Sequence, residues 1–304
     1  MRVKFWGVRG SIPTPGPTTV KYGGNTTCMQ LLGDNEETIN GESLIIDAGT
    51  GIRELGLEML KLPKPLKINL FITHTHMDHI NGFPFFIPAF IPGTVINIYG
   101  PLHYEKRLEE IFAGQMDYSY FPISTAQLAA ELNFHELKEG EFELGSLKVK
   151  THYMNHPVLT LGYRVSDSNK SFIYTGDHEP YYDIISDIGD SGPIEDGTDD
   201  VKAIVEAQNA RLIEFFSGTD ILVCDAAYTP EEYLTHKGWG HSSTDHVIDW
   251  AIKAQVKKLV LFHHEPMHTD EKLEEMEAYA KQRTLNKGAT SLRIITAREK
   301  EIVD

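Results

Sequence analysis

Short apolar runs rich in β-branched and aromatic residues recur along the whole chain, separated by turn residues or by stretches with helical spacing. The pattern predicts strands near residues 2–6, 27–32, 43–47, 67–72, 94–98, 146–153, 160–166, 171–175, 219–224, 257–262 and 291–295. Helices are predicted over 50–61, 102–112, 201–216, 243–254 and 270–285. In the third, Val201, Ile204, Val205, Leu212, Phe215 and Phe216 share one stripe. An α/β chain of two sheets with helices covering their outer faces accommodates this list. With 304 residues and no internal repeat, one domain spanning 1–304 is expected.

Composition narrows the partners. The chain carries 44 acidic and 28 basic residues, a net charge of −16, so its surface should repel long polyanions. Part of the charge is local: His178 to Asp200 holds eight acids and no lysine or arginine, interleaved with glycine and proline, and reads as a solvated acidic loop or insertion near 178–200. Cys28 and Cys224 are too few for a disulfide framework and fall in apolar runs, as buried thiols in a reducing cytoplasm would. The amino terminus lacks the apolar core of a signal peptide. The most apolar stretch, Phe83 to Pro92, contains three prolines, so no membrane span is expected.

The chemistry concentrates in His74-Thr75-His76-Met77-Asp78-His79, directly after the strand-like Ile68-Asn69-Leu70-Phe71-Ile72. In an extended segment His74 and His76 point the same way, while Asp78 and His79 must reach the same place from a loop or an incipient helix. Imidazole and carboxylate without a nearby cysteine suit zinc, manganese or iron.

A His-x-His-x-Asp-His run after a hydrophobic strand resembles the signature of the metallo-β-lactamase-fold hydrolases. The resemblance implies an αββα four-layer sandwich and points to further ligands at His156 in Asn155-His156-Pro157, Asp177 in Thr175-Gly176-Asp177, and His263 after Leu259-Val260-Leu261-Phe262. By the same resemblance His74, His76 and His156 hold one metal, Asp78, His79 and His263 the other, and Asp177 bridges them. Gly240-His241-Ser242-Ser243 and Cys224-Asp225-Ala226-Ala227 resemble motifs of the phosphodiesterase branch, which includes ribonuclease Z, the phosphonate-pathway cyclic phosphodiesterase and cyclic-nucleotide phosphodiesterases. There the histidine donates a proton and the acid orients it. These roles pass to His241 and Asp225, with Asp78 joining them among the catalytic residues. Ribonuclease Z usually carries Glu where this chain has Asp225.

Two cations about 3.5–4 Å apart can share a water and acidify it, which makes metal-bound hydroxide the expected nucleophile. The leaving alkoxide then needs a proton, a task for His241. Amides at the helix opened by Ser242 and Ser243 offer a phosphate cradle. Asp47, in Ile46-Asp47-Ala48-Gly49-Thr50-Gly51, resembles the family's first conserved acid but equally fits an ordinary strand-to-helix turn, and reads as structural. His178, His264 and His268 lie beside proposed ligands and are bystanders unless they orient them. The loop from Arg9 to Thr27 is either a turn or an approach to the site, and Phe83 to Phe90 is core or a dimer contact, or else the wall of a base pocket. Hydrolysis of a small phosphodiester, above all a cyclic nucleotide, is the expected function, with a homodimer possible. The alternatives are tRNA processing of the ribonuclease Z type, a lactone, thioester or β-lactam hydrolase, and a non-catalytic metal-containing sensor. Ribonuclease Z commonly has a long arm between the ligands matching His156 and Asp177; here only twenty residues intervene.

Overall fold

The computed structural model describes residues 1–34, 36–182 and 198–304. Most of the acidic run at 178–200 therefore lies outside the described residues. The strands are β1 (Arg2–Gly7), β2 (Cys28–Leu32), β3 (Ser43–Ile46), β4 (Lys67–Phe71), β5 (Val95–Pro101), β6 (Glu131–Leu137), β7 (Gly140–Leu144), β8 (Leu147–Met154), β9 (Thr160–Ser166), β10 (Ser171–Tyr174), β11 (Ile221–Asp225), β12 (Lys258–Phe262), β13 (Arg293–Thr296) and β14 (Ile302–Val303). The α-helices are α1 (Ile52–Met59), α2 (Met77–Ile80), α3 (Leu108–Gln115), α4 (Thr198–Phe216), α5 (Pro230–His236), α6 (Thr244–Lys253) and α7 (Asp270–Asn286).

Two mixed sheets result, ordered β14-β1-β2-β3-β4-β5-β6 and β13-β12-β11-β10-β9-β8-β7. In each, an antiparallel half joins a parallel half: β3 to β6 run parallel, as do β10 to β13. The alternation of strand side chains sets the layers. Leu44 and Ile46 of β3 meet Tyr163, Val223 and Val260 in the core between the sheets. Ile45 turns outward to Ile52 and Leu55 of α1. On the second sheet Val260 and Phe262 face inward, while Leu259 and Leu261 pack outward against Val247, Ile248 and Ala251 of α6. Helix, sheet, sheet, helix is the expected αββα sandwich.

Three strands and one helix were not anticipated. The strands β6, β7 and β14 all lie at sheet edges, where Glu131, Glu136, Glu141 and Glu143 dilute the apolar signal. Helix α5 carries a capping box that the sequence did contain: Thr229 Oγ1 accepts from the Glu232 amide at 3.2 Å, and the Thr229 amide donates to Glu232 Oε2 at 2.8 Å. The helix predicted at 102–112 begins only at Leu108 and runs to Gln115, after an irregular stretch that ends where the Arg107 amide donates to Glu110. The predicted stripe on α4 holds for Leu212, Phe215 and Phe216, which are buried, but Ile204 is 61% exposed. Its end of the helix lies over a surface cavity rather than over the sheet.

Phe83, Phe86 and Ala89 are fully buried against α1 and α3, so this segment is core; Phe85 alone points out, packed edge-on against Phe121. Both cysteines are buried free thiols. Among the described residues no helix is long and apolar enough to cross a membrane.

Candidate metal centre and catalytic pair

The proposed ligands come from the same ends of both sheets. β4 stops at Phe71, and His74 and His76 follow in an irregular stretch before α2, a single turn, carries Asp78 and His79. His156 follows β8, Asp177 follows β10 and His263 follows β12. Their donor atoms form two groups, His74, His76, His156 and Asp177, and Asp78, His79, Asp177 and His263, with the atoms of each group within 4.8 Å of one another.

Asp177 stands between them. Its Oδ2 lies 3.3 Å from His74 Nε2 and 3.8 Å from His156 Nε2, while Oδ1 lies 3.2 Å from both His79 Nε2 and His263 Nε2. In the second group Asp78 Oδ2 is 3.3 Å from His79 Nε2 and from His263 Nε2. In the first, His156 Nε2 is 3.1 Å from His76 Nδ1.

This donor set fits divalent cations. His74 Nε2, His79 Nε2 and Asp177 Oδ1 are buried yet make no hydrogen bond among the described residues, a costly arrangement unless another charge meets them. Burial pushes the His74 imidazole down to about 3 and His156 down to about 4, so both are neutral, the form that binds a metal. At His79 and His263 burial acts in the same sense but is outweighed. The carboxylates of Asp177 and Asp78 lead at His79, and Asp177 leads at His263, raising both. Burial opposes ionisation of Asp177 too, but His263, His79 and His74 hold its carboxyl well below the usual range.

Neighbouring groups fix the ring orientations. Asp47 Oδ2 is 2.7 Å from His79 Nδ1, and Asp47 Oδ1 accepts the Thr73 amide at 2.8 Å. Asp47 thus ends β3 in a turn, as its sequence context indicates, and also aims a candidate ligand. His156 Nδ1 lies 2.9 Å from the Gly240 carbonyl, which leaves Nε2 for the centre. The opening loop does reach the site: the Ser11 amide donates to Asp78 Oδ2 at 2.7 Å, and a Cβ on Gly10 would fall 2.2 Å from the His263 ring. Fully buried Arg9 holds that loop by donating to the carbonyls of Gly23, Glu265 and His268.

Beside the centre, His241 Nδ1 lies 2.8 Å from Asp225 Oδ2, so the shorter acid reaches. Asp225 is buried and also accepts the amides of His178 and Ala227. Burial disfavours an imidazolium at His241, but Asp225 outweighs it and raises the pKa to about 9. Two of the amides at the start of α6 that could cradle a phosphate are already engaged. The Thr244 amide donates to the Tyr228 carbonyl at 3.0 Å, and the Ser243 amide to His246 Nδ1 at 3.4 Å.

The rings of His178, His264 and His268 orient no candidate ligand directly: they meet the Asn155 amide, the Ala297 carbonyl and the Glu232 carboxylate. Sequence reasoning overlooked Glu179. It is buried, and it accepts from the amides of Gly238 at 2.8 Å and Gly240 at 3.0 Å and from the Tyr233 hydroxyl at 2.9 Å. Its position two residues after Asp177 was the available signal.

A model of the beta-lactamase superfamily domain matches residues 43–192. Ribonuclease Z of Lactococcus lactis subsp. lactis (strain IL1403) is 30% identical over 235 residues, covering 66% of this chain and 72% of that protein. Among solved structures, the short form of human tRNase Z aligns with a TM-score of 0.63 and 20% identity over 100% of this chain and 99% of its own. Unliganded yeast PDE1 aligns with a TM-score of 0.62 and 17% identity over 99% and 98%. The two structural likenesses establish the shared fold.

Proposed function

This chain belongs to the metal-dependent hydrolases of metallo-β-lactamase fold, in the phosphodiesterase branch that includes ribonuclease Z, and from that premise we propose that it hydrolyses a small phosphodiester, a cyclic nucleotide. The observation that carries the reading is the 2.8 Å pairing of His241 with Asp225, with His241 Nδ1 only 4.0 Å from Asp177 Oδ2.

His74, His76 and His156 would hold one cation and Asp78, His79 and His263 another, with Asp177 shared; zinc or manganese suits the donors, and iron is compatible with them. Such cations polarise a phosphoryl oxygen and acidify a water. The chain's own part is the proton. Asp225 engages Nδ1 of His241 and stabilises the imidazolium, which leaves Nε2 to carry a proton toward the departing alkoxide. A cyclic nucleotide, whose leaving group is a ribose oxygen of high pKa, needs that donor; a β-lactam or activated ester needs it less.

RNA cleavage is the second reading, favoured by the Lactococcus relative. Two observations weigh against it: the net charge of −16, and the interval between His156 and Asp177, which is occupied by the antiparallel pair β9 and β10 with no inserted arm.

The test is hydrolysis by protein loaded separately with manganese and zinc, offered 3′,5′- and 2′,3′-cyclic nucleotides, a precursor tRNA and a lactone. Metal-dependent opening of a cyclic nucleotide is expected. Cleavage confined to the tRNA or the lactone would refute the proposal.

A further inference from the structure

The segment Gly238-Trp239-Gly240 runs directly into His241. Both glycines take positive φ, +89° and +88°, a backbone that side-chain-bearing residues rarely adopt. The turn is pinned from beneath by the buried Glu179 carboxylate, which accepts both glycine amides, and the Gly240 carbonyl in turn meets His156 Nδ1. A turn fixed this firmly nonetheless presents a large apolar side chain to water. Trp239 is 61% exposed, whereas Trp6 and Trp250, the other two tryptophans, are buried.

Trp239 is tied to the catalytic pair by aromatic contacts. His241 meets Tyr228 edge-on at 6.1 Å between centroids, Tyr228 stacks on His236 at 4.6 Å, and His236 abuts Trp239 at 4.8 Å and 76°. Among the described residues that is the indole's one ring contact, and most of its surface stays exposed. Gly238 and Gly240 also border a cavity of about 260 Å³ shared with His156, Pro157, Tyr181 and Tyr182.

We propose that Trp239 is the stacking platform for the base of the substrate, so that the diester cleaved here carries a flat heteroaromatic group. The proposal rests on the phosphodiesterase reading and adds to it the part of the substrate remote from phosphorus. An indole face binds any nucleobase through stacking, with little selection among bases. A rigid turn lowers the ordering cost of that contact.

Being the one exposed tryptophan, Trp239 reports on its own occupancy. In metal-loaded protein, adenosine monophosphate should quench its emission while ribose 5-phosphate does not, and Trp239→Phe should abolish the quenching. Kinetically, Trp239→Ala should raise KM for 3′,5′-cyclic AMP about tenfold and change kcat little. It should leave KM unchanged for the 3,5-cyclic phosphate of a methyl riboside, which lacks a base. Equal effects of Trp239→Ala on both diesters, or quenching by ribose 5-phosphate as strong as by the nucleotide, would overturn the stacking role while leaving the phosphodiesterase reading intact. Emission changes that follow protein concentration without nucleotide would assign the indole to self-association and overturn it as well. Failure of both diesters, and of 2′,3′-cyclic AMP, to react would instead overturn the phosphodiesterase reading.

Discussion

Asp47 Oδ2 lies 2.7 Å from Nδ1 of His79, so a carboxylate at the end of β3 sets the ring of a candidate ligand on α2, thirty-two residues further along the chain. Because Nδ1 is engaged, Nε2 faces Asp78 and Asp177. Replacing Asp47 by Ala is expected to leave the fold standing and to weaken metal binding roughly 10- to 100-fold. Competition with a chelator of known affinity measures this; wild-type affinity in the variant would show that the pair does not orient His79.

His241→Ala is expected to slow cleavage of a cyclic nucleotide by about 10²- to 10⁴-fold, with bound metal unchanged. An activated nitrophenyl diester, whose leaving group hardly needs a proton, should lose much less. Asp177→Ala gives the contrasting result, loss of metal, since its two oxygens face the two ligand groups.

The pair also predicts a pH effect. The protonated imidazole is the active form, so activity should be carried below the His241 pKa and fall as pH rises through it. Burial lowers that pKa and Asp225 raises it, Asp225 prevailing. Asp225→Asn removes the raising charge, and the alkaline limb of kcat against pH should move to lower pH. A limb that stays in place would assign it to another group.

Gly10 has no room for a side chain, since a Cβ would overlap the His263 imidazole at 2.2–2.8 Å. Gly10→Ala should therefore displace His263 or the loop held by Arg9. The expected cost is about 1–3 kcal/mol of stability together with a loss of metal affinity. Thermal unfolding with and without metal, beside elemental analysis, tests both parts.

Glu179→Gln keeps the side chain's shape but can no longer offer two acceptor oxygens to the amides of Gly238 and Gly240 and to Tyr233. A buried amide left unpaired costs roughly 1–3 kcal/mol, so the turn should loosen. The readout that a generally destabilised protein would not reproduce is local: a red shift in Trp239 emission and weaker metal binding through His156, with the two buried tryptophans unchanged.

Much of this was legible because ligand chemistry is sparse and local. His74 to His79 announces itself within six positions, and a buried strand such as Leu259-Val260-Leu261-Phe262 points to His263 by ending there. What escaped was set by partners distant in sequence. The motif around Asp47 marks an acid at a turn without telling that its carboxylate meets His79, and nothing near Glu179 tells that it holds a turn fifty-nine residues away. The edge strands β6 and β7 escaped because half-exposed strands tolerate charge, which erases the alternation that reveals an inner strand. The helix α5 escaped although its capping box was in view at Thr229 and Glu232, since seven residues carry too few apolar positions to show a period.

Asp47 and His263 share a backbone trait: each follows the last residue of a parallel strand, β3 and β12, with φ near +60°. For side-chain-bearing residues that conformation is uncommon and costs about 1–2 kcal/mol, Asp and His tolerating it better than most. Glycine at either position would relieve the backbone and strip the centre of a carboxylate or an imidazole. At these two strand ends, then, the backbone alone and the site ask for different residues. A search for more thermostable variants that scores backbone strain alone would be drawn toward glycine there, and would discard activity in taking it.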